Sequence, residues 1–239
     1  MVHDGLLDRL RRIEDRVAEA CARSGRDPAE ILIVAITKGH PARTLVAALE
    51  AGLRQVGENR VGEAMEKFSQ AATSLESHGA TRHMVGHLQR NKARDAVSTF
   101  DWIQSVDSMR LARALSLRME GADRALPVLI EVNAGGEEQK HGFSPEEAVD
   151  EAAQIADLPG LSVRGLMTMA PLTSEEPVLR ATFRRARALF ERMTGQGGRG
   201  GSRPDTLSMG MSSDYTVAIE EGSTMLRLGT ALFGPRAEG

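Results

Sequence analysis

The sequence lacks most features that would direct a protein out of the cell, into a membrane or onto nucleic acid. Its one cysteine, Cys21, has no partner for an internal disulfide, and aromatic residues are only 3% of the 239 positions. The net charge of −3 gives no field of one sign. No run approaches the roughly 18 apolar residues that span a bilayer, and Asp4 and Asp8 interrupt any signal peptide. We therefore predict a cytoplasmic protein with a small ligand and no nucleic-acid or membrane partner.

Lysine is also scarce, since arginine supplies all but four of the 30 basic residues. A general preference for arginine explains most of this. One of the four, Lys38, nevertheless closes the apolar run ILIVAI, where it should lose hydration, have a lowered pKa and expose a nucleophilic amine. Arginine keeps its proton and cannot form an imine. The pattern favours an imine-forming lysine, and the alternative is an ordinary lysine that reaches into solvent at a strand end.

Apolar runs of strand length alternate with amphipathic helical stretches, which is typical of a parallel sheet with crossover helices. An additional helix precedes the first strand within a lead-in over residues 1–30. Eight such units predict an α/β fold, a (β/α)₈ TIM barrel that forms a single domain over residues 1–239, with an open doubly wound sheet as the alternative. The predicted strands are residues 31–38, 55–59, 82–86, 102–106, 128–133, 163–169, 206–210 and 225–229.

In such barrels the active site lies at the carboxyl ends of the strands, and the loops after strands seven and eight often hold a phosphate. The seventh predicted strand ends in LSMGMSS and the eighth is followed by RLGT, which offer serines, glycines and a threonine beside Arg227. Each stretch taken alone is equally compatible with ordinary caps and turns. Together with an imine-forming Lys38 they predict pyridoxal 5'-phosphate (PLP). No metal site is predicted, because His83 and His87 do not share a face on a strand and its loop.

Several ordered motifs resemble the pyridoxal-phosphate homeostasis protein family, which is related to the N-terminal barrel of alanine racemase. They include AITKGHP, GENRVGEAMEKF, RHMVGHLQRNK, VLIEVNAGGEEQKHGF, LSMGMSSDY and EEGSTMLRLGTALFG, spread over residues 31–234. The resemblance implies a fold-type III barrel that holds PLP as a Schiff base on Lys38, with Arg227 near the pyridine nitrogen. The cofactor-binding residues it implies are Lys38, Asn59, His83, Ser208, Ser212, Arg227, Gly229 and Thr230.

The resemblance further implies a monomeric carrier of PLP and related B6 vitamers, with PLP-dependent apoenzymes as candidate partners and no robust turnover. Alanine racemase draws a second acid/base, a tyrosine, from another domain, and the one tyrosine here, Tyr215, is expected in a helix. A weak racemase is the alternative. A cofactor-free Schiff-base aldolase and an RNA-binding module that uses the segment GQGGRGG, residues 195–201, are further hypotheses. Lys67 is expected on a helix, and its replacement should leave the Schiff base of Lys38 unchanged.

Overall fold

The computed structural model describes residues 2–137, 139–195 and 204–235. Eight parallel strands close into a barrel in sequence order, which confirms the predicted (β/α)₈ architecture over the open sheet. The barrel closes where β8 pairs with β1, from Leu32 opposite Met225 to Ala35 opposite Leu228. The strands are β1 Leu32–Ile36, β2 Gln55–Glu58, β3 Thr81–Met84, β4 Trp102–Val106, β5 Leu126–Glu131, β6 Leu161–Met167, β7 Thr206–Ser208 and β8 Met225–Leu228.

Helices follow the strands and surround the barrel. Most of residues 195–201, which raised the RNA-binding hypothesis, lie outside the described residues. Within the described ranges no helix is both long and apolar enough to cross a membrane. The helices are α1 Val2–Ser24, α2 Ala42–Glu50, α3 Val61–Gln70, α4 Ala72–Ser77, α5 Ala93–Thr99, α6 Met109–Met119, α7 Ala148–Ala156, α8 Glu176–Gly195, α9 Tyr215–Glu220 and α10 Thr230–Phe233, with 3₁₀ turns at Pro28–Glu30 and Arg90–Lys92.

The main apolar core lies between the strands and the helical layer, where Phe100 and Phe183 are fully buried. β1 is less buried than its all-apolar sequence predicts, since Leu32 is 46% exposed and Ile33 is partly exposed. These two residues begin the strand at the rim opposite the carboxyl ends. Only the second half of β1, Val34 to Ile36, is enclosed.

The N-terminal helix α1 packs against α9 and α10, the helices that follow β7 and β8. Its buried face carries Leu6, Leu10 and Ile13, as the spacing in the sequence indicates. Arg9 adds a 2.6 Å hydrogen bond from Nε to the carbonyl of Leu232 in α10. The extra helix therefore braces the part of the barrel whose loops are predicted to hold phosphate.

Candidate functional site

Lys38 lies in a turn at the carboxyl end of β1. The strand ends at Ile36, so the predicted strand over residues 31–38 runs two residues too far at its carboxyl end. The amide of Thr37 donates to the carbonyl of Gly57 at 3.1 Å, and the amide of His40 returns to the carbonyl of Thr37 at 3.0 Å. Lys38 is partly buried rather than enclosed.

A buried ion-pair cluster, the Lys67 cluster, holds both sides of this turn. Lys67 Nζ donates to the carbonyl of Thr37 at 2.6 Å, to Glu58 Oε1 at 2.5 Å and to Glu63 Oε1 at 3.0 Å. Glu63 in turn accepts the amide of Gly39 at 2.7 Å. The residues before and after Lys38 are thus bonded to one cluster, and Lys67, which lies on α3 as expected, holds this turn. That the Schiff base of Lys38 forms without Lys67 stays a prediction.

The pKa values of both carboxyl groups in the cluster are shifted. Glu58 is fully buried, and this burial raises its pKa although Lys67 and Thr37 both donate to it. Burial also acts on Glu63, but hydrogen bonds from Gly39 and Lys67 outweigh it and hold the pKa of that carboxyl below its usual range. Lys67 is 5% exposed. The buried cation is therefore matched by carboxylates in direct contact.

Arg227 on β8 is the second buried cation at this end of the barrel. Its Nη1 donates to Ser208 Oγ at 2.7 Å and its Nη2 donates to the carbonyl of Thr168 at 2.8 Å. Burial lowers the pKa of Arg227 to about 10, while the charges of Asp214 and Glu131 act in the opposite direction. The guanidinium remains charged at neutral pH, and both of these acceptors are uncharged.

A chain of hydrogen bonds runs from Arg227 into the barrel interior. Ser208 Oγ donates to Gln104 Oε1 at 2.7 Å, and Gln104 Nε2 lies 3.0 Å from His83 Nδ1. His83 Nε2 then lies 2.7 Å from Gln55 Oε1. Burial lowers the pKa of His83 to about 3, so the ring is neutral, and these partners place its proton on Nε2. His83 thus joins the site through Gln104 and Ser208.

The loops after β7 and β8 are bonded to each other and lie against the end of β1. Ser212 Oγ accepts the amide of Ala231 at 3.0 Å. Gly229 approaches β1 so closely that an added Cβ would lie 3.3 Å from the carbonyl oxygen of Ile36. Thr230, at the start of α10, is exposed. The predicted phosphate-binding residues and the Lys38 turn therefore share one corner of the barrel mouth.

The other predicted residue, Asn59, directly follows β2 and is partly buried. Tyr215 begins α9 as predicted, but its side chain is buried in the cluster that includes α1. The one tyrosine of the chain therefore packs in the core beside the N-terminal helix.

Glu131, at the end of β5, was not among the predicted site residues. Its side chain is 4% exposed, and Oε2 has no hydrogen-bond partner among the described residues. Burial, together with the charge of Asp107, raises the pKa of Glu131 to about 7, against the effect of Arg227. A glutamate inside the apolar run VLIEV is a signal that would have indicated it.

Comparison with known proteins places the chain in a family. Residues 9–237 match the family described as alanine racemase, N-terminal domain. The pyridoxal phosphate homeostasis protein of Pseudomonas aeruginosa is 37% identical over 234 residues, which cover 98% of this chain and 97% of the relative. The chain belongs to the pyridoxal phosphate homeostasis protein family.

Another member of this family, from Escherichia coli K12, is 39% identical over 227 residues, 95% of each chain. Among solved structures, PipY of Synechococcus elongatus with PLP bound is 37% identical and superposes with a TM-score of 0.78. That match covers 93% of this chain and 100% of PipY. The resemblance found in the motifs is confirmed over the length of the barrel.

Proposed function

We propose that this chain binds PLP as a Schiff base with Lys38 and takes part in intracellular PLP homeostasis without robust turnover of its own. The names of the relatives and the PLP-bound structure of PipY support the cofactor and the role. The observation that carries the proposal is the corner where β8 meets β1. There the Lys38 turn lies beside Gly229, and the buried Arg227 occupies the neighbouring strand.

The residues of this corner fit a phosphorylated aldehyde. Ser212 and Thr230 offer hydroxyl groups on the two loops that bond to each other, and Gly229 lets the backbone approach closely. We assign the phosphate group to these three residues. Asn59, which directly follows β2, would lie beside the bound cofactor.

Ser208 and His83 act on the cofactor through Arg227. The hydroxyl of Ser208 accepts from Arg227 and donates its one hydrogen to Gln104, so it has no hydrogen left to donate to a phosphate. His83 is fully buried and bonded at both ring nitrogens. We assign both residues to the orientation of the guanidinium.

When bound, PLP supplies an aldehyde that condenses with amines and a pyridine ring that withdraws electrons best when its nitrogen is protonated. Arg227 keeps its protons at neutral pH, because its pKa stays at about 10 even in this buried position. Its N–H groups would therefore donate a hydrogen bond to the ring nitrogen of a bound PLP and transfer no proton to it. This arrangement would weaken the electron sink.

A second candidate function is weak racemisation of amino acids, and one observation favours it. Glu131 has a pKa of about 7 and interacts with the charge of Arg227, and a group of that pKa is suited to general acid–base work at neutral pH. Tyr215 does not serve this purpose, since it is buried beside α1. Turnover of amino-acid enantiomers at about 1 s⁻¹ or faster would favour the enzyme over the carrier.

The decisive experiment is an absorbance scan of purified protein before and after borohydride reduction, with mass mapping of the modified peptide. We expect Lys38→Ala to abolish the reducible visible chromophore. Lys92→Ala is the matched control, since Lys92 is exposed in the turn after β3, and its chromophore should persist. A covalent adduct that survives in the Lys38 variant would assign the Schiff base to another lysine.

PLP-dependent apoenzymes are the proposed recipients of the cofactor. A carrier of this kind must release PLP to them, so its hold on the phosphate should be weaker than that of an enzyme that retains PLP. The monomeric state and the cytoplasmic location stay predictions of the sequence.

A further inference from the structure

Three side chains from three different loops meet on the other side of the barrel mouth. His87 follows β3, Asp107 follows β4, and His141 belongs to the segment after β5. Their candidate ligand atoms all lie within 4.8 Å of one another. The sequence predicted no metal site, and the proposed PLP carrier has no role for these residues, which we call the His–Asp–His cluster.

Hydrogen bonding satisfies only part of this arrangement. His87 Nδ1 lies 3.0 Å from Asp107 Oδ2, whereas His141 Nδ1 lies 4.0 Å from the same oxygen, which is too far for a hydrogen bond. The two rings stack with centroids 3.9 Å apart and planes at 14°. Both Nδ1 atoms thus turn toward Asp107 Oδ2, but only that of His87 is close enough to form a hydrogen bond with this oxygen.

A metal ion would use all three atoms. In tetrahedral zinc sites with bonds of about 2.0–2.1 Å, ligand atoms are about 3.4 Å apart, a value between the two distances to Asp107 Oδ2. The parallel rings must turn for both lone pairs to converge. Their side chains are 42% and 59% exposed, so this turn meets little packing resistance.

The backbone around the cluster is held more firmly than its side chains. Asp107 is 11% exposed, and its other oxygen, Oδ1, accepts the hydroxyl of Ser108 at 3.0 Å, as an outer-shell partner of a metal ligand would donate. The segment that carries His141 returns to β5, where the amide of Phe143 donates to the carbonyl of Glu131 at 2.8 Å. Gly142 makes this return with a φ of +112°, and a Cβ there would lie 2.9 Å from the amide nitrogen of Asn133.

The local charge also favours a cation. Asp107 is close enough to Glu131 to raise its pKa, so two carboxyl groups share this region of the mouth. Imidazole and carboxylate ligands suit late first-row divalent metals, of which Zn²⁺ accepts three protein ligands and an open position. We propose that His87, Asp107 and His141 bind a divalent transition-metal ion of the Zn²⁺ class at the rim of the barrel, apart from the Lys38 corner.

The test is isothermal titration of Zn²⁺ into the untagged full-length chain, after treatment with a chelator and dialysis into a buffer that does not bind metals. We expect about one Zn²⁺ per chain. His87→Gln, His141→Gln and Asp107→Asn should each weaken binding by at least about tenfold, the lower range found even for outer-shell partners. Circular dichroism spectra of the variants check that the fold is retained.

His78→Gln is the matched control, because His78 caps the end of α4 and its Nδ1 contacts the carbonyl of Ser74. Its Zn²⁺ affinity should equal that of the unmodified chain. Equal affinity in the unmodified chain and in a His87→Gln/His141→Gln double variant would overturn the proposal. So would the absence of any binding heat in the unmodified chain. Since no PLP is needed for the titration, its outcome is independent of the Lys38 experiment.

Discussion

The two buried cations at the barrel mouth, Lys67 and Arg227, have the same exposed fraction of 5% and very different surroundings. Lys67 contacts two carboxylates and a backbone carbonyl directly. Arg227 contacts a hydroxyl and a carbonyl, and its carboxyl neighbours, Asp214 and Glu131, act on it only through their charges.

The difference separates a structural cation from a ligand-binding one. A buried charge in direct contact with an opposite charge gains little from a further ligand. Its removal leaves the opposite charge buried and unpaired. A buried charge with neutral partners remains undercompensated, so it gains from a hydrogen-bond acceptor that arrives with a ligand. The Lys67 cluster accordingly shapes the Lys38 turn, whereas Arg227 is the cation that we propose for the cofactor.

The largest effect is expected for Lys67→Met, which leaves Glu58 buried without its cation. Breaking a buried pair in this way costs about 3–5 kcal/mol of the free energy of unfolding. Urea denaturation followed by circular dichroism measures this loss. The double variant Lys67→Met/Glu58→Gln should recover part of it, and a single variant as stable as the unmodified chain would show that the cluster carries no such energy.

Glu131→Gln should change how the free energy of unfolding depends on pH. The folded-state pKa of Glu131 is raised to about 7, so the protonated form contributes stability that is complete below the ordinary pKa of about 4.3 and is lost as the pH rises through 7. Between about pH 4 and about pH 8, the free energy of unfolding of the glutamine variant should therefore rise relative to that of the unmodified chain by up to about 3 kcal/mol. Urea denaturation at several pH values measures this, and a difference that is constant with pH would contradict it.

Arg227→Gln should weaken PLP retention without preventing the lysine adduct. Loss of a charge-assisted hydrogen bond is worth about 1.5–3 kcal/mol, which corresponds to roughly 10- to 100-fold faster loss of PLP on dialysis. Arg164→Gln is the control, since Arg164 lies in β6 and pairs with Asp205, just before β7. Equal retention in the two variants would argue against contact between Arg227 and the cofactor.

The smallest effect is expected for Ser208→Ala, because Arg227 keeps its bond to Thr168 in this variant. The variant loses the bond that Ser208 accepts from Arg227 and the bond that it donates to Gln104, but the guanidinium itself stays in place. The loss therefore reaches the cofactor only through the orientation of Arg227, and at about 1 kcal/mol PLP affinity should fall roughly fivefold. Ser105→Ala is a close control, since the buried hydroxyl of Ser105 has no partner among the described residues. An equal loss of affinity in both variants would assign the effect to general loosening of the barrel.

The fold was predictable to within a few residues because strand and helix periodicities are local. All eight predicted strands overlap the observed ones, and β4 has the predicted bounds, Trp102–Val106. The errors lie at strand ends, as at Lys38, where burial decides whether extended backbone continues. The burial of individual residues was less predictable. Leu32 and Val34 are both apolar residues of β1, but Leu32 is exposed at the rim opposite the carboxyl ends, whereas Val34 is fully buried.

The candidate site was predictable where a residue adjoins a strand end, as for Lys38, Asn59 and Arg227. It was not predictable where function depends on partners far along the chain. Gln104 lies in the middle of β4, and only barrel closure brings its Oε1 2.7 Å from Ser208 Oγ, 104 positions away. The His–Asp–His cluster is likewise drawn from three loops without a local spacing.

By itself, the order of residues determined the barrel, the family and the position of the lysine that we propose to be reactive, because hydrophobic period and strand-end chemistry are written in short consecutive stretches. Tertiary structure alone decided which cation is matched and which is left for a ligand. Charge compensation in a dry interior depends on atoms within a few ångströms, and the closure of eight strands sets those neighbours regardless of their distance along the chain.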